Sequence, residues 1–119
     1  MNVSASGDLS EGLLVSAQRR NSLSINTAMY KYLMISVRTS SLNIATRVVV
    51  WPDQNVINSR TVLLKTYNDN EWHTEIVDLS YFVVSTNIFM IELGFEQVYP
   101  SNANEWVTYK ELSFNSLEV

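Results

Sequence analysis

Apolar and polar residues alternate with a period of two along most of this 119-residue sequence. The clearest stretch runs from Lys31 to Thr39, where Leu33, Ile35 and Val37 occupy every second position. Because successive side chains of a β-strand point to opposite faces of the sheet, this period predicts strands with one buried and one exposed face. Clusters of Asn, Ser, Asp and Gly interrupt the alternation at intervals of roughly 10 residues, a spacing typical of antiparallel sandwiches and barrels.

The alternation predicts about eight strands in one all-β domain that spans residues 1–119. Valine and isoleucine, which favour strands, total 21 residues, whereas the strong helix formers are comparatively scarce. A short helical turn is expected only near residues 79–83. The predicted strands are Gly12–Gln18, Leu23–Asn26, Lys31–Thr39, Arg47–Trp51, Arg60–Tyr67, Glu71–Leu79, Ile88–Phe95 and Trp106–Phe114.

Composition excludes several classes of function. The formal net charge is −4 and the longest basic cluster is Arg19-Arg20, so we expect no nucleic-acid partner, which would require clustered cations for the phosphates. The chain has no cysteine, which excludes thiol nucleophiles, disulfides and cysteine-ligated zinc. No apolar run approaches the roughly 20 residues of a membrane helix, so no membrane partner is expected. The first residues also lack the basic-then-apolar pattern of a secretory signal.

Hydroxyl and amide side chains supply most of the polarity. The chain holds 15 Ser, 12 Asn and 8 Thr, while charged residues make up only 17%. A surface of this kind is suited to contact with neutral partners that carry many hydroxyl groups.

Residues for catalysis are few, and we expect no enzymatic activity. His73 is the single histidine, and it lies in a predicted strand beside acidic residues, as surface histidines often do. Four glutamates in the second half of the chain could in principle form a glycosidase pair, but their spacing selects none: Glu92, Glu96, Glu105 and Glu111. The three glycines do not form a phosphate-binding loop.

The aromatic residues are more informative, because the alternation separates buried rings from exposed ones. Phe89, Phe95 and Phe114 are in phase with the core. Five others are expected on the polar face or in loops: Tyr32, Trp51, Tyr67, Trp72 and Tyr99. Flat rings beside amide and guanidinium groups suit a sugar, which has an apolar C–H face and a rim of hydroxyls. The alternative is that these rings close the ends of a sandwich.

Four segments resemble the galactose-binding-like jelly-roll modules, the non-catalytic carbohydrate-binding modules of glycoside hydrolases: residues 30–38, 71–80, 88–95 and 107–114. The resemblance implies an antiparallel β-sandwich of jelly-roll type. It implies binding of a neutral β-linked plant cell-wall polysaccharide of the β-glucan type, and delivery of a covalently linked catalytic domain to it. The parent protein is then expected to be an extracellular, secreted enzyme.

The family holds its sugar on a concave sheet face or in loops at one edge. On the first interpretation Tyr32, Met34, Arg38, Met90 and Glu92 line a cleft, and on the second the rings of Trp51, Tyr67, Trp72 and Tyr99 stack on the sugar. Arg38, Glu92 and Gln97 are expected to orient the ligand through hydrogen bonds.

Family members often hold a structural calcium near the two chain ends. Asp8 and Glu111 are the ligands that the resemblance suggests here, since calcium accepts carboxylate oxygens readily. The sequence departs from the family at this point, because Lys110-Glu111 replaces the pair of aspartates that many members carry.

Two other functions stay open. One is a structural or protein-interaction jelly roll of a viral or cell-surface protein, whose exposed aromatics meet a protein partner. The other is a small glycosidase with two carboxylates across a cleft.

Overall fold

A computed structural model of the chain describes residues 2–20, 23–82 and 87–116. These residues form ten β-strands, one four-residue helix, α1 (Leu79–Phe82), and a 3-10 turn at Val56–Asn58. The strands are β1 (Asn2–Ala5), β2 (Leu14–Arg20), β3 (Ile25–Asn26), β4 (Tyr32–Thr39), β5 (Ile44–Trp51), β6 (Arg60–Leu64), β7 (His73–Asp78), β8 (Asn87–Ile88), β9 (Met90–Gln97) and β10 (Glu105–Asn115). In the described part of the chain, no helix is long and apolar enough to cross a membrane.

Eight of the strands form two four-stranded antiparallel sheets. The first sheet has the order β1-β10-β4-β7 and the second has the order β2-β9-β5-β6, while β3 and β8 pair separately. The chain passes from one sheet to the other at each connection between these eight strands, except at the hairpin from β5 to β6. The predicted all-β antiparallel sandwich is therefore confirmed.

The alternating residues of the facing strands fill the space between the sheets. Leu33, Ile35 and Val37 of β4 are buried there, as their period predicts, and Phe95 of β9 is fully buried opposite them. Tyr109 of β10 connects the two layers, because its hydroxyl donates to the carbonyl oxygen of Gly94 in the second sheet at 2.5 Å. Burial raises the pKa of the Tyr109 phenol, so this donor keeps its proton.

Most predicted strands form, with shifted ends. The prediction missed β1, because its four residues include a single fully buried apolar side chain, Val3, and so show no clear alternation. The predicted strand Ile88–Phe95 is two strands, since Ile88 pairs with β3 whereas Met90 begins the ladder with β5. Phe89 lies between them and is half-buried.

A β-bulge in β2 requires glycine at position 94 of the neighbouring strand β9. The β2–β9 register runs from Ser16 opposite Gly94 to Gln18 opposite Leu93, which leaves one extra residue in β2. A Cβ atom on Gly94 would lie 1.9 Å from the carbonyl oxygen of Val15. Only glycine therefore allows the two backbones to approach this closely.

Candidate functional site

The outer face of the first sheet carries two tryptophans and two cations. Arg38 of β4 points outward because its neighbours in the strand, Val37 and Thr39, are buried. The β4–β10 register places it opposite Thr108, in phase with Trp106 and Lys110 on the same face. Trp72 precedes β7, the strand on the other side of β4.

Arg38 lies between the two indoles. Its guanidinium carbon is 5.2 Å from the ring centroid of Trp72 and 5.5 Å from that of Trp106. Lys110 places its Nζ atom 4.2 Å from the centroid of Trp72. These are cation–π distances, and they hold all four side chains against one another on the sheet surface. We call Arg38, Trp72, Trp106 and Lys110 the tryptophan–cation cluster.

The cluster is partly open to solvent. Arg38, Trp72 and Trp106 are half-buried and Lys110 is exposed. The Nε atom of Arg38 is buried and has no hydrogen-bond partner in the described structure. Hydroxyls border the cluster along the same face, where Ser36 and Thr74 lie 3.2 Å apart.

The outer face of the second sheet carries a charged pair. Arg47 Nη1 lies 4.0 Å from Glu92 Oε2, and the two side chains are only 17% and 9% exposed. Trp51 ends β5 on this face, opposite Met90. Its indole Nε1 is buried without a hydrogen-bond partner among the described residues.

An aromatic and acidic cluster lies where β6 leads into β7. The rings of Tyr67 and His73 stack with their centroids 3.5 Å apart, and His73 Nε2 lies 2.7 Å from Asp69 Oδ2. The Tyr67 hydroxyl donates to Glu75 at 2.7 Å, and this hydrogen bond, with burial, raises the pKa of Tyr67 to about 12. Backbone hydrogen bonding from Glu71, with the His73 contact, lowers the pKa of Asp69.

The end loops of the sandwich are tied together by a buried carboxylate. Glu105 is 2% exposed and accepts hydrogen bonds from the hydroxyls of Ser40, at 2.8 Å, and Ser41, at 3.0 Å. Burial alone would raise the pKa of Glu105, but side-chain hydrogen bonds from Ser40, Ser41, Asn43 and Ser101 outweigh it and lower the pKa. The charged form therefore holds the loops before β5 and β10 in place.

A surface pocket of about 300 Å³ lies beside these loops, between the β1–β2 and β9–β10 connections. Asp8, Ser10, Pro100 and Ser101 are among its lining residues. Tyr99, next to Pro100, is exposed.

The predicted site residues do not form one site. Arg38 and Trp72 meet in the tryptophan–cation cluster, and Tyr32 shares their face six residues along β4, roughly 20 Å away. Glu92 and Trp51 lie on the outer face of the other sheet. The predicted concave-face set is therefore wrong as a set, because Tyr32, Met34 and Arg38 point away from Met90 and Glu92 on opposite sides of the sandwich.

The predicted loop residues also separate. The ring of Tyr67 stacks on His73 and its hydroxyl donates a hydrogen bond to Glu75. Tyr99 lies elsewhere, in the β9–β10 loop. Gln97 was predicted to contact a ligand, but it is 0% exposed, because its position in β9 is in phase with Phe95 and points inward. Its amide donates to the Tyr99 carbonyl oxygen at 2.7 Å, so its role is to hold that loop.

Two residues of the cluster, Trp106 and Lys110, were not predicted as site residues. The alternation in β10 could have identified them. Val107 and Tyr109 are buried, so the residues in the alternate positions, Trp106 and Lys110, point outward. Their proximity to Arg38 follows only from the β4–β10 register, which the sequence does not specify.

Asp8 and Glu111 do not form a shared calcium site. The β1–β10 register runs from Asn2 opposite Thr108 to Ala5 opposite Glu105. Asp8 lies beyond one end of this ladder, and Glu111 lies beyond the other. Among the described residues, no group of three or more His, Asp or Glu side chains could hold a metal ion.

The sequence matches no protein-family model, and no curated protein matches it. The fold and the surfaces described above are therefore the basis for a functional assignment.

Proposed function

We propose that this chain is a non-catalytic carbohydrate-binding module with jelly-roll connectivity. It recognises a β-linked plant cell-wall polysaccharide and delivers a covalently linked, secreted glycoside hydrolase to it. The observation that carries the proposal is the tryptophan–cation cluster, which combines accessible indoles with a fixed guanidinium on one sheet face. The sequence predicts a polysaccharide of the β-glucan type, and we use this neutral polymer as the ligand with which others are compared.

The chemistry of the cluster fits a sugar. The apolar C–H face of a pyranose packs on an indole, and its hydroxyls accept hydrogen bonds from the planar donors of a guanidinium. The two indole centroids are no more than about 11 Å apart, the sum of their distances to Arg38. Trp106 lies in β10 and Trp72 directly precedes β7, so both rings are anchored to the same sheet, which reduces the entropy cost of binding.

The strand order supports the jelly-roll connectivity. Two four-stranded antiparallel sheets contain the eight long strands, and the first strand of the chain lies beside the last. Double-sheet jelly rolls consist of eight strands arranged in this way, as two Greek keys.

Affinity electrophoresis of the purified chain tests the proposal, in native gels that contain soluble β-glucan, xyloglucan, xylan or mannan. We expect retardation in at least one gel. Trp72→Ala and Trp106→Ala should each weaken binding by about tenfold or more, as truncation of a central aromatic does at other interfaces. Tyr30→Ala, a change at an exposed tyrosine outside the cluster, is the matched control and should bind normally.

Three results would count against the assignment. Unchanged mobility in all four gels would exclude these polysaccharides and with them the proposed ligand class. Loss of binding in Tyr99→Ala but not in Trp72→Ala would move the site to the end loops. Release of reducing sugar would show that the domain is a glycosidase.

One observation favours a second function, protein interaction. Val56 and Ile57 form the tip of the β5–β6 hairpin and are 64% and 77% exposed. The turn is held in shape by Asn55, whose side chain accepts from the Ile57 N–H, and by Asp53, whose carboxylate accepts from the Asn55 N–H. A fixed apolar tip is an interaction feature, and Ile57→Asp should abolish any concentration-dependent association seen by analytical ultracentrifugation.

A further inference from the structure

We propose that the saccharide bound by the tryptophan–cation cluster is acidic, and that Arg38 and Lys110 bind its carboxylate. This inference rests on the proposed function and names the class of sugar: a uronate-bearing polysaccharide in preference to a neutral glucan. Three features of the cluster carry it.

The first feature is a pair of cations on one face that have no carboxylate partner within 4.0 Å among the described residues. The chain has only 8 Lys and Arg residues against 12 Asp and Glu, so its cations have acidic residues in excess to pair with. Among the described residues, the ion pairs within 4.0 Å are Arg47 with Glu92 and His73 with Asp69. Arg38 and Lys110 instead converge on the ring of Trp72, which leaves their charge available to a ligand.

The second feature is the fixed position of Arg38. Contacts with two indoles hold the guanidinium in place before any ligand arrives, and its buried Nε has no hydrogen-bond partner in the described chain. Because Nε is buried, a ligand would meet the terminal Nη groups of the guanidinium. The planar fork of arginine matches a carboxylate in two parallel hydrogen bonds, which favours a carboxylate over a lone hydroxyl.

The third feature is the neighbouring acid, Glu111, which does not neutralise the pair. Its Oε2 atom lies 3.5 Å from the Ser36 hydroxyl, and its backbone has a φ of 55° at the irregularity in β10. The β4–β10 register shifts between Lys110 and Ser113, so Glu111 leaves the regular alternation of the strand. Among the described residues, Glu111 forms no ion pair within 4.0 Å with Arg38 or Lys110, so it does not occupy the two cations of the cluster.

The experiment compares one polymer in two forms: glucuronoxylan, and the same glucuronoxylan after chemical reduction of its uronates to neutral sugars. Affinity is measured by isothermal titration calorimetry at low and at high salt. We expect the acidic form to bind at least about fivefold tighter at low salt, and the preference to shrink at high salt because exposed charges are screened. Dextran sulfate is measured in the same way, so that binding of a sulfated polymer can be compared with binding of a polymer that carries carboxylates.

A matched pair of lysine variants isolates the charge. Lys110→Gln removes one cation from the cluster and should abolish most of the preference, because it should weaken binding of the acidic polymer several times more than binding of the reduced polymer. Lys65→Gln is the control, because Lys65 also lies over an aromatic ring, with its Nζ 5.2 Å from the centroid of Tyr67, but outside the cluster. It should leave the preference intact.

The outcomes are distinguishable. Equal affinity for the acidic and the reduced polymer overturns this inference and leaves the carbohydrate-binding function standing. Equal losses in Lys110→Gln and Lys65→Gln show that overall charge causes the preference, and also overturn it. Tighter binding of dextran sulfate than of glucuronoxylan overturns the assignment to a carboxylate. Binding to none of the polymers refutes the proposed function itself.

Discussion

Gly94→Ala is expected to be the most damaging single-methyl change in the second sheet. The added Cβ would lie 1.9 Å from the Val15 carbonyl oxygen and 2.9 Å from the Ser16 Cα. A Cβ atom has no rotamer by which to escape, so the backbone of β2 must retreat by about 1.1 Å to restore even a 3.0 Å contact. The β2–β9 hydrogen bonds on either side of the bulge would be distorted by this movement.

The expected cost is about 3 kcal/mol, the upper part of the range for overpacking a tight site. For a chain of this length the unfolding entropy is about 0.25 kcal/mol per kelvin, so the melting temperature should fall by about 12 °C. Urea denaturation followed by circular dichroism measures the free energy of unfolding. Amide hydrogen exchange then reports whether β2 opens more readily than the central strand β5.

Gly12→Ala is the matched control. Gly12 has open space around its Cα but a φ of +88°, so alanine there meets backbone strain without a clash and should cost about 1 kcal/mol. If Gly94→Ala were no more destabilising than Gly12→Ala, the close approach of β2 to β9, and with it the bulge register, would be wrong.

Three further predictions concern polar groups that are buried or half-buried. Tyr109→Phe removes the hydrogen bond to the Gly94 carbonyl and should lower the free energy of unfolding by about 1 kcal/mol in urea titrations. Glu105 has a lowered pKa, so its stabilising contribution is complete above the unfolded-state pKa and is lost as pH falls through the folded-state pKa. The stability difference between the wild type and Glu105→Gln should therefore shrink below about pH 4, and a constant difference would contradict the charged state assigned to Glu105. The Tyr67 phenol should titrate near pH 12, and Glu75→Gln should move the titration seen by ultraviolet absorbance toward the ordinary value; no movement would show that the Glu75 hydrogen bond is not the cause.

Within β4, the period of two predicted which residues point into the space between the sheets, because one face of each sheet packs against the other sheet. In β9 it did not predict burial, because residues on both faces of that strand are buried. It placed Arg38 outward and Leu33 and Ile35 inward, as the structure has them. The prediction from alternation failed where a strand is too short to show a period and where an irregularity changes the phase within a strand. β1 is too short to show a period, and the bulge at Lys110–Ser113 changes the phase within β10.

The candidate site was harder to predict, because it depends on strand pairing. Arg38 and Trp72 were each expected to bind a ligand, but they were assigned to two alternative sites, a sheet face and a loop edge. Their contact requires β7 to lie beside β4, and the contact with Trp106 requires β10 on the other side. Both pairings join residues more than 30 positions apart in the sequence, and local periodicity carries no information about such partners.

The tryptophan–cation cluster has a structural and a ligand-binding role that different substitutions separate. The guanidinium of Arg38 packs against two half-buried indoles, so Trp106→Ala should lower stability by lost apolar contact as well as lower affinity. Lys110 is exposed, and its contact with Trp72 should contribute only about 0.5 kcal/mol to stability. A loss of affinity in Lys110→Gln with a fall in melting temperature of no more than about 2 °C therefore belongs to the ligand. Trp106→Ala, by contrast, should lower both the affinity and the melting temperature. Its measured affinity must therefore be corrected for the fraction of protein that remains folded before the loss is assigned to binding.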